Sequence, residues 1–230
     1  MSAIIFQNWD DEDFVLESVK IDGNLLYHAS KRLRNNKKIV FEALKNNPYS
    51  FEFASKELRS EKEVVIEALR NEYPLDYLPD EFKSDKDCVL EAVKINGWRL
   101  ESASDELKND EEIVLEAVKN FGLALEYSSQ QMRNNERIVI EAVKNNVWAF
   151  DYASDNLKTK DFILKSLENH GVFLAFIPPK FQNKRMVIKA LKNIRFLNYN
   201  AHKNSGGLLD YRYLFLKFTL KKIDDIFKYL

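Results

Sequence analysis

The heptapeptide Ile113-Val-Leu-Glu-Ala-Val-Lys119 returns twenty-five residues later as Ile138-Val-Ile-Glu-Ala-Val-Lys144, and it has already occurred as Cys88-Val-Leu-Glu-Ala-Val-Lys94. Looser copies are Phe14-Val-Leu-Glu-Ser-Val-Lys20, Ile39-Val-Phe-Glu-Ala-Leu-Lys45 and Val64-Val-Ile-Glu-Ala-Leu-Arg70. Phe162-Ile-Leu-Lys-Ser-Leu-Glu168 and Met186-Val-Ile-Lys-Ala-Leu-Lys192 are divergent ones. Their first residues fall at 14, 39, 64, 88, 113, 138, 162 and 186, a period of 24 or 25. A period of that length means an array of supersecondary units, each too small to close a core alone. Ordering one unit's backbone outweighs the return from its few large apolar side chains, so neighbours must share one core.

Within a unit, apolar or small residues recur four, five, six, eight and nine positions after a polar residue. That polar residue is Asp10, Asn35, Ser60, Ser84, Asn109 or Asn134, which the spacing predicts as the helix N-cap. Ser60 with Glu63 and Ser84 with Asp87 fit capping boxes, and Thr159 and Asn183 take the role in the last two units. The apolar arc is wide, so this helix A must be covered on more than one side. Its eighth position is always small (Ser18, Ala43, Ala68, Ala92, Ala117, Ala142, Ser166, Ala190), which predicts close approach of a neighbouring element. Gly23, Pro48, Gly97, Gly122 and Gly171 stop helix A, the glycines by a left-handed exit. A shorter helix B follows, as in Trp148-Ala-Phe-Asp-Tyr-Ala153. One further helical turn then drops Leu33, Leu58, Phe82, Leu107, Met132, Leu157 or Phe181 into the core.

The expected fold is therefore all-α: an α-solenoid of about eight 24–25-residue two-helix repeats, forming one continuous domain. Repeats start near 11, 36, 61, 85, 110, 135, 160 and 184, within an array spanning 1–199. Residues 200–230 read as a loop and an amphipathic helix that caps the array.

The units resemble a tandem helical-repeat family, that of domain of unknown function 4116. The resemblance lies in the polar cap, the Val/Leu-Glu-Ala-Val-Lys helix, the Gly and the closing Leu-Lys/Arg-Asn/Asp. It covers about 11–192, is strongest over 85–159, and departs from the family pattern at Lys165 and Lys189, where the usual Glu is inverted. It implies a helical array with an interaction role and brings no established activity.

Composition narrows the function. The 35 basic and 36 acidic side chains nearly cancel, yet residues 1–159 hold 21 and 31 of them and residues 160–230 hold 14 and 5. Helix A carries one acidic row, Glu17, Glu42, Glu67, Glu91, Glu116 and Glu141, each with Lys or Arg three residues on, and reads as a solvated face. Helix B carries another row, Glu52, Asp76, Glu101, Glu126 and Asp151, with no built-in neutraliser, and is the candidate surface for a protein partner. Lys180, Lys184, Arg185, Lys189, Lys192 and Arg195 form a basic patch that suggests nucleic acid or an anionic surface as the alternative partner. The two opposite charges also allow head-to-tail self-association. Trp98 and Trp148 occupy equivalent starts of helix B and are expected to pack inward.

No catalytic or metal-binding residue is assigned and no cofactor is expected. His28, His170 and His202 stand in unrelated contexts, with no metal-ligand spacing among them. Cys88, the one cysteine, takes an apolar helix A position and excludes an intramolecular disulfide. Without an apolar stretch of membrane-spanning length or a secretory leader pattern, the expectation is a non-enzymatic protein-interaction scaffold. Its expected location is cytoplasmic or inside a host cell after delivery.

Overall fold

A computed structural model describes residues 8–169 and Phe173. The chain divides into two compact units, Met1–Asn120 and Phe121–Leu230. Every regular element among the described residues is helical, in an all-α repeat solenoid. No described helix is long and apolar enough to cross a membrane. The eighth repeat and the expected capping helix of 200–230 lie outside the described residues.

In the first unit the long helices are Glu12–Ile21, Lys37–Asn46, Lys62–Arg70, Lys86–Ile95 and Glu111–Asn120, each packed against the next. In the second they are Glu136–Asn145 and Lys160–Asn169. Ile39, Val40, Ala43 and Leu44 show which positions are covered: all four are fully buried, as are Val64, Val65 and Ala68 one repeat later. The residues at the sixth position (Phe41, Ile66, Leu90, Ile140) sit at the margin of the core. The single turn that closes each repeat buries Leu33, Leu58, Phe82, Leu107, Met132 and Leu157, as its spacing predicts.

Helix B differs from expectation. It is a six-residue 3-10 segment in most repeats: Gly23–His28, Pro48–Phe53 and Gly97–Ser102, then Gly122–Tyr127 and Val147–Tyr152 in the second unit. In the third repeat it shrinks to Leu75–Tyr77. Four of these segments open on an Asx turn, while Gly122–Tyr127 is entered from Phe121 without one. Asp22, Asn47, Asn96 and Asn146 accept the amide of the residue two further on, at 2.9–3.0 Å. These residues are extended, with φ near −144° at Asp22, Asn47 and Asn96, so the α-helix ends there without a left-handed residue. The glycines are needed for another reason. A Cβ on Gly23 would stand 2.4 Å from the Ala43 carbonyl oxygen, and one on Gly122 would stand 2.5 Å from that of Ala142. These carbonyls belong to the small eighth position of the next helix, which is the close approach the repeated Ala predicts.

The long-helix caps also sit one residue later than predicted. Asp11, Asn36, Asp85, Asp110 and Asn135 accept first-turn amides. Glu61 holds the same place without a side-chain cap. Thr159 caps the seventh helix as expected. The residue before each cap has a different role. Asp10, Asn35 and Asn134 accept the hydroxyl of Ser30, Ser55 and Ser154 from the following repeat, at 2.5–2.6 Å. Beside each of these bonds, the amide of that same Ser donates to the carbonyl of Trp9, Arg34 or Arg133.

A second set of bonds closes the other end. The Asn46 amide group donates to the Lys20 and Ile21 carbonyls while its oxygen accepts from the Gly23 amide. Asn120 does the same to Lys94, Ile95 and Gly97. One side chain thus satisfies three backbone groups of the preceding repeat that a helix end leaves open. Asn71 stands in the same register, but Pro48 offers it no N–H. It turns back to the Glu67 carbonyl of its own helix instead. That helix closes itself: Tyr73 N–H donates to Ala68 and Glu72 N–H to Leu69, a Schellman motif with Glu72 at φ 73°.

Candidate functional site

A 3-10 helix has three residues per turn, so residues three apart lie one above the other. In these segments the fourth residue (Leu26, Phe51, Leu100, Leu125, Phe150) is buried and the fifth faces solvent. The fifth residues include Glu52 and Glu101 in the first unit and Glu126 and Asp151 in the second, and Asp76 of the shortened Leu75–Tyr77 likewise follows a buried residue; all five are exposed. Three residues before them stand Tyr49, Tyr73, Trp98, Leu123 and Trp148. Within each unit acidic residues therefore share a face with exposed aromatic rings, Tyr49 and Trp98 in the first and Trp148 in the second.

That aromatic row corrects the expectation that the tryptophans pack inward. Trp98 is 45% exposed and Trp148 is 65% exposed, and Tyr27, Tyr49 and Tyr77 also present their rings to solvent. Tyr49, Trp98 and Trp148 point outward because each stands one 3-10 turn before the exposed fifth position, and Tyr27 occupies that fifth position itself.

In the acidic row Asp76 is neutralised, while Glu126 and the Asp151 main chain make other hydrogen bonds. Asp76 receives the Arg99 guanidinium at 3.1 Å and the Ser102 hydroxyl, both from the following repeat. Glu126 is hydrogen-bonded by the Tyr152 hydroxyl, which pushes that phenol's pKa up. Lys158 reaches the Asp151 main-chain carbonyl at 2.8 Å.

The row on helix A behaves as a solvated face. Lys20, Lys45, Lys94, Lys119 and Lys144 pair with the Glu three residues before them. Arg70 reaches forward to Glu91 at 2.9 Å. Further acids at the helix starts are clamped across repeats: Lys37 holds Glu61 and Glu63, Lys62 holds Asp85 and Asp87, and Lys86 holds Asp110 and Glu112. Burial alone would raise the Asp85 and Asp110 carboxyls. Their Lys partners and the capped amides together hold both below the usual range. Such exposed pairs fix register more than they add stability.

Cys88 is fully buried on the core face, and burial pushes its thiol up to about 12. The thiolate, which carries cysteine's reactivity, is therefore suppressed. His28 lies against Trp9, ring centroids 5.1 Å apart, and its other aromatic neighbour is Tyr27 at 5.3 Å. The basic patch of Lys180, Lys184, Arg185, Lys189, Lys192 and Arg195 lies outside the described residues.

The irregular third repeat leaves one feature that the repeat pattern does not foretell. Ile95 stands where Asn46 and Asn120 staple their neighbours, and opposite it the chain turns early at Glu72. Between them opens a cleft of about 210 Å³, lined by the apolar or aromatic Leu69, Tyr73, Ala92 and Ile95 and the polar Glu72, Asn96 and Arg99. Its only signal in the sequence is the shortened spacing from 64 to 88 together with Pro48 and Pro74.

A family model described as Domain of unknown function (DUF4116) matches residues 11–59, 61–108, 89–133 and 110–158. No curated protein and no solved structure matches the chain.

Proposed function

The chain belongs to the family of domain of unknown function DUF4116, and from that premise we propose that it is a non-catalytic repeat module that binds a basic protein segment. In each unit the binding face is the outer side of its 3-10 segments. The observation that carries this reading is the three-residue alignment of an aromatic ring with a carboxylate at Tyr49/Glu52, Trp98/Glu101 and Trp148/Asp151, all on exposed positions. Carboxylates draw in a cationic segment, and aromatic faces hold ammonium or guanidinium groups by cation–π attraction. Most of the other recurring polar groups serve the fold itself, as hydroxyl bridges, caps, carbonyl staples or inter-repeat clamps. The described part of the first unit reinforces the polarity, since residues 8–120 carry 26 acidic and 17 basic side chains.

The test is titration of the full chain with lysine- and arginine-rich peptides. Reversing Glu101, Glu126 and Asp151 to Lys should weaken binding about tenfold while helicity stays unchanged, and raised salt should act in the same direction. Equal affinity of the triple variant and the parent would remove the reading.

A further inference from the structure

We infer that Tyr49, Tyr73 and Tyr77, with Glu52 and the cleft that Tyr73 also lines, form a receptor for a single lysine or arginine side chain of the bound segment. This rests on the reading above and gives it an anchor.

Three rings meet here. Tyr49 and Tyr73 have centroids 5.9 Å apart, Tyr73 and Tyr77 6.2 Å, and Tyr49 and Tyr77 6.5 Å. Their planes are inclined to one another by 65°, 71° and 51°, so they do not stack into a closed column. Tyr73 is the buried floor, seated on Phe51 at 4.8 Å, while Tyr49 is 47% exposed and Tyr77 64% exposed. Two large rings held open to water over a third are what a cation seeks, since its attraction to a ring reaches about 6 Å.

The charges select a cation over an anion. Glu52 faces Tyr73 closely enough that, after burial, it is the main cause raising that phenol to about 12. Glu72 lines the cleft. Asp76 belongs to the same group but is already tied to Arg99. Against these three carboxylates stand Arg59, which also acts on Tyr73, and Arg99 on the cleft wall. The balance is one negative charge, and Arg99 is the cation already engaged in an ion pair.

Size and lining point to a side chain and not a free small molecule. The cleft holds about 210 Å³, below the roughly 300–1,000 Å³ of small-molecule pockets. Leu69, Ala92 and Ile95 supply an apolar wall. A lysine or arginine stem lies along such a wall and keeps its charged head outside.

The experiment uses the full chain, a short lysine/arginine-rich peptide, and the same peptide with norleucine or glutamate at its central basic residue. The Tyr49→Ala, Tyr77→Ala double variant should bind the basic peptide about five- to tenfold more weakly. Phenylalanine at both positions should keep binding near parent strength, and Arg59→Gln should tighten it about two- to threefold. Tyrosine ring resonances of the parent should move with the basic peptide and not with the substituted ones. If the alanine variant loses helicity, Tyr77→Ala alone and the ring resonances of the parent decide. Unchanged affinity of the tyrosine variants, with loss in the Glu101/Glu126/Asp151 variant, overturns the receptor and leaves the partner reading standing. No loss in either set removes both. Equal binding of the norleucine or glutamate peptide also overturns the receptor.

Discussion

Gly122 and Glu72 show how differently one backbone atom constrains neighbouring repeats. Gly122 needs no unusual dihedral; it needs the absence of a Cβ, because the Ala142 carbonyl would lie 2.5 Å away. Gly122→Ala should therefore lower unfolding free energy by about 1–3 kcal/mol, the usual range for overpacking, read from urea midpoints. Glu72 is the reverse case, an L-residue at φ 73° where glycine is the ordinary occupant. Glu72→Gly should raise stability by about 1 kcal/mol, since the left-handed strain disappears. A measured loss would mean that the Glu72 side chain holds something more valuable than the turn. The sequence showed that glycine recurs at the Gly122 position of the repeat. It did not show why, because the clash lies with a carbonyl of the following repeat.

At the scale of the element, each repeat is built from tandem polar residues whose roles differ, as in Asn35 and Asn36, Ser84 and Asp85, or Asn134 and Asn135. The first of the pair closes the preceding turn and, in Asn35 and Asn134, receives a serine hydroxyl. The second caps the long helix. Composition cannot separate them, because either residue type can cap; the backbone at the second is extended and points its side chain at the first-turn amides. The same holds for the asparagine staples. Asn120→Ala strips partners from Lys94, Ile95 and Gly97 and should cost about 1–3 kcal/mol by urea unfolding. Asn71→Ala should cost less, since that side chain serves only its own helix. Equal losses at the two sites would contradict the staple. The 3-10 form of the second element was likewise hidden: six residues with apolar positions three or four apart fit both helical periods.

For the whole molecule, acidity is the revealing variable. Asp10, Glu42, Asp85, Glu91 and Asp110 all have pKa values lowered from 3.8 or 4.5. A carboxyl depressed in the folded state contributes stability above its unfolded value and loses it as pH falls through the folded one. The urea midpoint should thus hold from neutral pH to about 4.5 and fall below that. Lys62→Met with Lys86→Met should flatten the fall, because Asp85 and Asp110 then lose the ammonium groups that depress them. An acid limb unchanged by these substitutions would show that the clamps carry none of it.

By itself the sequence determined the 24–25-residue period, the all-α class, the long helices, the buried Leu, Phe or Met closing each repeat, and the small residue at each close approach. These depend on side-chain spacing within one stretch of chain, where periodicity and burial are coupled directly. Tertiary structure alone decided which polar residue caps and which one bridges, and why Pro48 leaves Asn71 without its usual partner. Those outcomes hang on carbonyls, amides and hydroxyls brought in from the adjoining repeat, and no local pattern of residues carries their direction.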